Sequence, residues 1–315
     1  MPVILSPASL QGVASVACAF SGRTIFYKIP CLNYAPHSCR FFRRNTCISS
    51  SKNRFSDHRF NFSSYFELPQ NLGRFLTGNS FLYRMERYWS ASGINKNKGM
   101  VRNLEYYGII KSDRVSETME TIDRALFVPQ GSPPYADFPV AIGYNATISA
   151  PHMHAMCLQL LEQNLQPGMR ALDVGSGTGY LTACFAIMVG SQGRAVGVEH
   201  IPELVESSVK NIEKSAGAPL LEEGVLSIHV GDGREGWAHD APYDAIHVGA
   251  AASEIPQALI DQLKPGGKMV IPVGNVFQDL QVVSKDQNGV VSIQTETSVR
   301  YVPLTSRDAQ LVSPA

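Results

Sequence analysis

The sequence predicts an α/β domain whose core is a mostly parallel sheet finished by an antiparallel hairpin. Three observations carry this. From Arg170 onward, short apolar runs of strand length alternate with helical patterns, as parallel strands covered on both faces require. The first of these strands runs into Leu172-Asp-Val-Gly-Ser-Gly-Thr-Gly179, a loop with three glycines at the place where such sheets bind ligands. Near the end, two strand-like runs flank Asn288-Gly289, a strong two-residue hairpin signal.

The elements follow in chain order. Two helical segments open the domain after about residue 95. In the second, Val115, Met119, Ile122 and Leu126 fall on one face of a single helix, which Pro129 ends. Residues 131–150 read as an ordered loop, punctuated by Gly131, Pro133, Pro134, Pro139 and Gly143. Met153, Met156, Cys157, Leu160 and Leu161 mark the next helix. Strands are expected over Arg170–Val174, Ala195–Glu199, Leu226–Val230, Asp244–Val248 and Met269–Val273. Helices are expected over Tyr180–Val189, from Pro202, and over Ile255–Leu263. Leu280–Ser284 and Val290–Ile293 form the closing hairpin.

Charge divides the chain differently. The 315 residues carry no net charge, yet residues 1–84 hold ten Lys/Arg against Asp57 and Glu67, so the remainder is acidic. Residues 1–56 contain no acid, nine Ser and seven Lys/Arg, the composition of an organelle transit peptide. No Lys or Arg precedes Arg23. That disfavours a secretory signal and an Arg-led mitochondrial helix, and it points to the chloroplast. The expected division is therefore a disordered leader over 1–84 and a folded domain over 85–315. A start at Met85 would give a cytosolic or nuclear form of the same domain. The apolar stretch Val13–Phe20 is far too short to span a bilayer, so no membrane partner is expected. The acidic domain disfavours a nucleic-acid partner. Cys18, Cys31, Cys39 and Cys47 lack zinc spacing, and Cys157 and Cys184 read as buried thiols.

Two cofactors are reached through glycine loops of this kind. A dinucleotide seats its pyrophosphate on the helix N-terminus, usually behind G-x-G-x-x-G; here Gly175, Gly177 and Gly179 are spaced G-x-G-x-G. S-adenosylmethionine has no phosphate and packs its aminoacyl end and ribose against the loop. Glu199 ends the second strand and can accept from ribose hydroxyls in either cofactor. Asp232, in Val230-Gly-Asp-Gly-Arg234, ends the third and is placed to reach a base.

Several long runs settle what the loop alone leaves open. Ala146-Thr-Ile-Ser-Ala-Pro-His-Met-His154, Leu172–Gly179, Val230–Arg234, Ala241-Pro-Tyr-Asp-Ala-Ile-His-Val-Gly-Ala250, Ala258–Gly267 and Tyr301-Val-Pro-Leu-Thr305 resemble the protein-L-isoaspartate O-methyltransferase family, over about residues 95–312. The N-terminal extension is similar to those of plant forms. The resemblance implies a Rossmann-like class I S-adenosylmethionine-dependent methyltransferase fold with a seven-stranded sheet. It implies S-adenosyl-L-methionine as cofactor, isoaspartyl peptides and proteins as partners, and a monomer. Carried onto this chain, Ser149 is the active-site serine, and Ile142, Gly143, Tyr144 and Asn145 shape the site beside the cofactor. Asp173, Gly175, Gly177, Gly179, Glu199, His200, Asp232 and Gly233 bind the cofactor, while Thr305 and Gln310 close over it.

The implied nucleophile is the free α-carboxylate of an isoaspartyl residue. With an unperturbed pKa of ~3.5 it is already ionised at neutral pH, so the site must orient it and exclude water rather than supply a strong base. Ser149 then reads as a hydrogen-bond partner, and it also suits the N-cap of a helix starting at Pro151. His152 and His154 lie on different helix faces and cannot easily share a metal, so no metal is expected. His247 reads as a satisfied core histidine. Asn288-Gly289 is also a sequence prone to isoaspartate formation, although a turn suffices to explain it.

Overall fold

The computed structural model describes the strands Val13–Phe20 (β1) and Arg23–Pro30 (β2) and residues 96–312. The chain divides into two units, residues 1–66 and 67–315. In the first, β1 and β2 pair antiparallel, from Val13 against Pro30 to Phe20 against Arg23. This hairpin lies within the segment expected as a leader. The cause is local: two β-prone runs separated by two residues, Ser21-Gly22, can pair. An isolated two-stranded hairpin is marginal in water. The boundary expected at 84/85, the alternative start at Met85 and the cysteines 31, 39 and 47 lie outside the described residues.

The second unit opens with helices Asn97–Tyr106 (α1) and Asp113–Thr121 (α2). The single helix expected to run through Leu126 ends early. Asp123 accepts from Ala125 N and starts a separate 3-10 turn, Arg124–Phe127. Ile122 stays buried, but Leu126 is left exposed. The loop expected over 131–150 contains a small hairpin, Val140–Gly143 (β3) with Ala146–Ile148 (β4). Its turn residues Tyr144 and Asn145 both have positive φ, 53° and 55°, the two-residue turn whose twist suits a hairpin. Helix Pro151–Leu161 (α3) follows as expected.

The main sheet uses Arg170–Val174 (β5), Arg194–Glu199 (β6), Leu226–Val230 (β7), Tyr243–Val248 (β8), Leu263–Val273 (β9), Gln278–Lys285 (β10) and Val291–Val299 (β11). Their order across the sheet is β11-β10-β9-β8-β5-β6-β7. The pairs from β7 to β9 are parallel, and β9-β10-β11 is antiparallel. The predicted seven-stranded, mostly parallel sheet is therefore present. Helices Tyr180–Val189 (α4), Pro202–Glu213 (α5), Ala218–Glu222 (α6), Gln257–Gln262 (α7) and Arg307–Val312 (α8) complete the domain.

Alternation along the strands separates two apolar clusters. Ala171, Ala195, Ala245 and Val270 pack with α1–α4 through Met100, Met119, Leu158 and Phe185. Leu172, Val174, Val196 and Ile246 face the other way, onto Leu259 and Met269. Helix α4 is buried nearly all round, so its apolar character encodes a central helix rather than an amphipathic one. Cys157 and Cys184 are buried free thiols. Between β5 and β8 the chain order reverses, because β6 and β7 lie to one side of β5 and β8 to the other. Crevices at the strand C-termini beside such a reversal are where α/β sheets bind ligands.

Candidate active site

Two adjoining chambers open at that reversal. The first, about 530 Å³ of free space continuous with solvent, is lined by Ala146, Thr147, Glu199, His200, Thr305 and Gln310 among others. The second, about 340 Å³, is lined by Ser149, His154, Asp173, Ser176, Tyr180 and His247 among others. Thr147, Gly175, Gly177 and Gly249 border both.

The glycine loop forms the shared floor. Gly175 and Gly177 have φ of 71° and 51°, in the left-handed region where a side chain is strained. Gly179 plays another part: it caps α4, and a Cβ there would meet Ile212 and Ser208 at 3.0 and 3.1 Å. It packs helices α4 and α5 together and lines neither chamber.

Glu199 ends β6 nearly buried. One carboxylate oxygen accepts from Gly177 N and the other from Ile201 N, both at 3.1 Å. Burial pushes its carboxyl pKa up, opposed by these backbone donors and by His200. Each oxygen has further lone-pair capacity for a ligand hydroxyl.

Asp173 lines the second chamber and also braces the sheet. Its two oxygens accept from Thr182 Oγ1 at 2.6 Å and pair with His247 Nδ1 at 2.8 Å. It braces β5 against α4 and β8 beneath the loop. His247 is the satisfied core histidine expected. Burial pushes its imidazole pKa down, but Cys157 and the Asp173 carboxylate outweigh burial and raise it to about 10. The Asp232 carboxylate pairs with Arg234 at 2.5 Å, and Asp232 lines neither chamber. The Arg234 hydrogen bonds hold its carboxyl below the usual range. Its neighbour Gly233 does line the first chamber.

The segment Ile142–Asn145 supports the site without lining either chamber. Ile142 lies over Gly177, and the wall itself is the next strand, Ala146–Ile148, with Ser149. The turn instead holds the chain end. Asn145 Nδ2 donates to Gln310 O at 2.7 Å, Gln310 Nε2 donates to Tyr144 O at 2.8 Å, and Gln310 Oε1 meets His200 Nε2 at 2.9 Å. Helix α8 is thereby latched over the first chamber, beside Thr305.

Ser149 is not the N-cap of α3. Ala150 holds that position without a side-chain cap, and Asp137 serves α3 from outside by accepting from His152 N at 2.9 Å. Asp137 also binds His152 Nδ1 at 2.8 Å, which ties His152 to the loop before β3. Ser149 Oγ is thereby spared a capping role, and its residue faces the second chamber.

Sequence reasoning missed Ala146, Thr147, His154, Ser176 and Gly249. Gly249 directly follows β8, where its N donates to Val174 O at 2.8 Å and a Cβ would lie 3.0 Å from Gly175 O. A glycine immediately after a parallel strand was the available signal. Among the described residues no cluster of His, Cys, Asp or Glu could hold a metal, and no helix is long and apolar enough to cross a membrane.

The lining suits S-adenosylmethionine. The first chamber sets a buried carboxylate beside Val198, Ala250 and Leu304, a combination for a ribose and a flat base. In the second, Ser176 Oγ is buried with no hydrogen-bond partner, and such an atom calls for a polar ligand group.

A model of the protein-L-isoaspartate(D-aspartate) O-methyltransferase family matches residues 95–309. The chain belongs to this family. It is 72% identical over 227 residues to protein-L-isoaspartate O-methyltransferase 1 of Arabidopsis thaliana, covering 72% of this chain and 99% of the relative. It is 64% identical over 256 residues to protein-L-isoaspartate O-methyltransferase 2 of the same plant, covering 81% and 82%. Among solved structures, a Plasmodium falciparum beta-aspartate methyltransferase in complex with S-adenosyl-L-homocysteine superposes with a TM-score of 0.63 at 37% identity. That match covers 67% of this chain and 99% of the other. The chain is a methyltransferase of this family, and S-adenosylmethionine is its methyl donor.

Proposed function

We propose that this chain repairs damaged proteins by methylating the α-carboxylate of L-isoaspartyl residues, with Ser149 orienting that carboxylate in the second chamber. The observation that carries the site assignment is the continuity of the two chambers through Thr147, Gly175, Gly177 and Gly249. Glu199 and the glycine loop hold the donor on one side, and Ser149 waits on the other.

Bound S-adenosylmethionine supplies an electrophilic methyl group on a sulfonium. The chain's own residues have the simpler task of presenting an anion to it. The α-carboxylate arrives ionised, with a pKa of ~3.5 in the absence of perturbation. Ser149 donates one hydrogen bond to it and fixes which oxygen points inward. The hydrogen bonds of Gln310 with Tyr144 and Asn145 hold the chain end at the first chamber, where a bound donor would displace water and strengthen each polar contact. Ser149 need not act covalently, because the α-carboxylate itself attacks the methyl group. The ester so formed is displaced by the neighbouring amide nitrogen, giving succinimide, whose hydrolysis returns some normal aspartate.

The test compares methyl incorporation into an isoaspartyl peptide and its ordinary aspartyl twin. Labelling of the first alone is expected, and equal labelling of both, or of neither, rejects the assignment. In the same assay Ser149→Ala is expected to lose about 10–100-fold in kcat/KM, the worth of one charge-assisted hydrogen bond, with an unchanged melting temperature. Full activity would remove Ser149 from the mechanism.

We also propose that the basic, acid-free leader directs the long form to the chloroplast, and that a form begun at Met85 stays in the cytosol or nucleus. The leader's composition supports this. Residues 1–84 fused to a fluorescent reporter in leaf cells are expected to mark chloroplasts, and diffuse fluorescence would refute it. The acidic domain speaks for protein rather than nucleic-acid substrates, and a monomer is the expected state.

A further inference from the structure

Arg124 is the fully buried arginine among the described residues, and no ion pair to a carboxylate satisfies it there. Its guanidinium instead spans three neutral acceptors. Nε donates to Pro134 O at 2.9 Å, Nη2 donates to Ser149 O at 2.7 Å, and Nη1 lies 3.1 Å from His154 Nδ1. The ring of Tyr180 lies beneath it, 5.6 Å from Cζ. The buried Asp137 carboxylate favours the charge from a distance but is held by His152; burying a charge without a direct ion pair is costly, and a residue needed only to fill this space would be apolar.

The third contact fixes a proton. A guanidinium has donors and no acceptor, so His154 Nδ1 must accept. The imidazole is then neutral, with its hydrogen on Nε2. His154 lines the second chamber with Ser149, and Nε2–H is the donor it has left for a ligand. We propose that Arg124 is the positioning residue of this site: by clamping the Ser149 carbonyl and pinning the His154 tautomer, it sets two hydrogen-bond donors and a buried positive charge against a carboxylate. That carboxylate belongs either to the aminoacyl end of the cofactor or to the isoaspartyl residue of the substrate.

The surroundings keep the imidazole neutral. Around His154 stand Arg124 from the 3-10 turn, Tyr180 from α4 with its ring centroid 5.0 Å away, His247 from β8 and His152 from its own helix. Burial, then Arg124, His247 and His152, push its pKa well below the ordinary value. Arg124 itself is lowered by burial only to about 10, so it stays charged at neutral pH.

The kinetic part rests on the repair reading above, but the spectroscopic part does not. In the ligand-free protein, 15N signals of His154 are expected to show a bare Nδ1 and a protonated Nε2, unchanged between pH 6 and 8. A proton on Nδ1, or a charged ring in that range, overturns the proposal whether or not isoaspartyl peptides are substrates. Arg124→Met removes every donor and is expected to mix the tautomers and lower kcat/KM about 10–100-fold. Arg124→Lys keeps the charge and one donor, and is expected to recover part of that loss. A rise in the Kd of S-adenosylhomocysteine would place the carboxylate on the cofactor, whereas a rise confined to the peptide KM would place it on the substrate. If Arg124→Met does not fold, the wild-type spectrum and Arg124→Lys decide. If it folds and keeps kcat, KM and Kd within twofold of wild type, with only a lower melting temperature, Arg124 is structural.

Discussion

Glu199→Gln is expected to weaken S-adenosylhomocysteine binding by about 10–100-fold, the ~1.5–3 kcal/mol of hydrogen bonds to a charged acceptor. The carboxylate accepts from Gly177 N with one oxygen and Ile201 N with the other. An amide can satisfy only one of them, and its NH2 group then confronts the second N–H, donor against donor. The substitution therefore removes an acceptor for ribose hydroxyls and also loosens the backbone at either Gly177 or Ile201. Isothermal titration with S-adenosylhomocysteine reads the effect directly, and a Kd within twofold of wild type would show that Glu199 does not face the ligand. Because burial raises this carboxyl pKa, affinity in the wild type is also expected to fall with acidity sooner than for an exposed glutamate.

Asp173→Asn is expected to lower stability by about 3–5 kcal/mol near pH 6.5, the cost of breaking a buried pair from one side. For a domain of this size that is a fall of roughly 10 °C in Tm. Asp173 and His247 are both almost wholly buried, and the substitution leaves a protonated imidazole facing a neutral amide. The pH dependence has a definite sign. His247 is raised to about 10 in the folded protein, against an unfolded value of ~6.5. The stability it contributes is thus complete below pH ~6.5, declines as pH rises, and is lost through about 10. Thermal melts of wild type and Asp173→Asn should converge between pH 7 and 10, and a constant gap would show that His247 is not protonated in the pair.

Legibility in the sequence followed burial. Strands β5, β6 and β8 are mostly apolar because both faces are covered, and they and the half-buried edge strand β7 were placed to within a residue at each end. Strand β11 runs on to Val299 through Gln294-Thr-Glu-Thr-Ser298, mostly exposed. It is held by backbone pairing at the sheet's edge, so apolar patterning ended at Ile293 while the strand did not. The β3–β4 hairpin was hidden for another reason. Its turn is Tyr144-Asn145, and little marks a tyrosine that will adopt positive φ. The helix expected through Leu126 failed because periodicity cannot see Asp123 starting a new turn.

In the site, glycines and strand-end acids were visible because their roles follow from position in the sheet. The family resemblance located Ser149, Thr305 and Gln310. Asp173 and Asp232 stand at the strand ends expected of them, but a sequence does not show that His247 and Arg234 pair with them. Arg124 was not legible at all. Its three acceptors come from residues 134, 149 and 154, brought to it by the tertiary fold.

The Gln310 latch has a practical consequence for handling the protein. A purification tag fused directly behind α8 would tug on Gln310 and its grip on the Tyr144 turn. Affinity handles belong at the other terminus, and kinetics measured on carboxyl-tagged material would report a loosened door rather than the native enzyme.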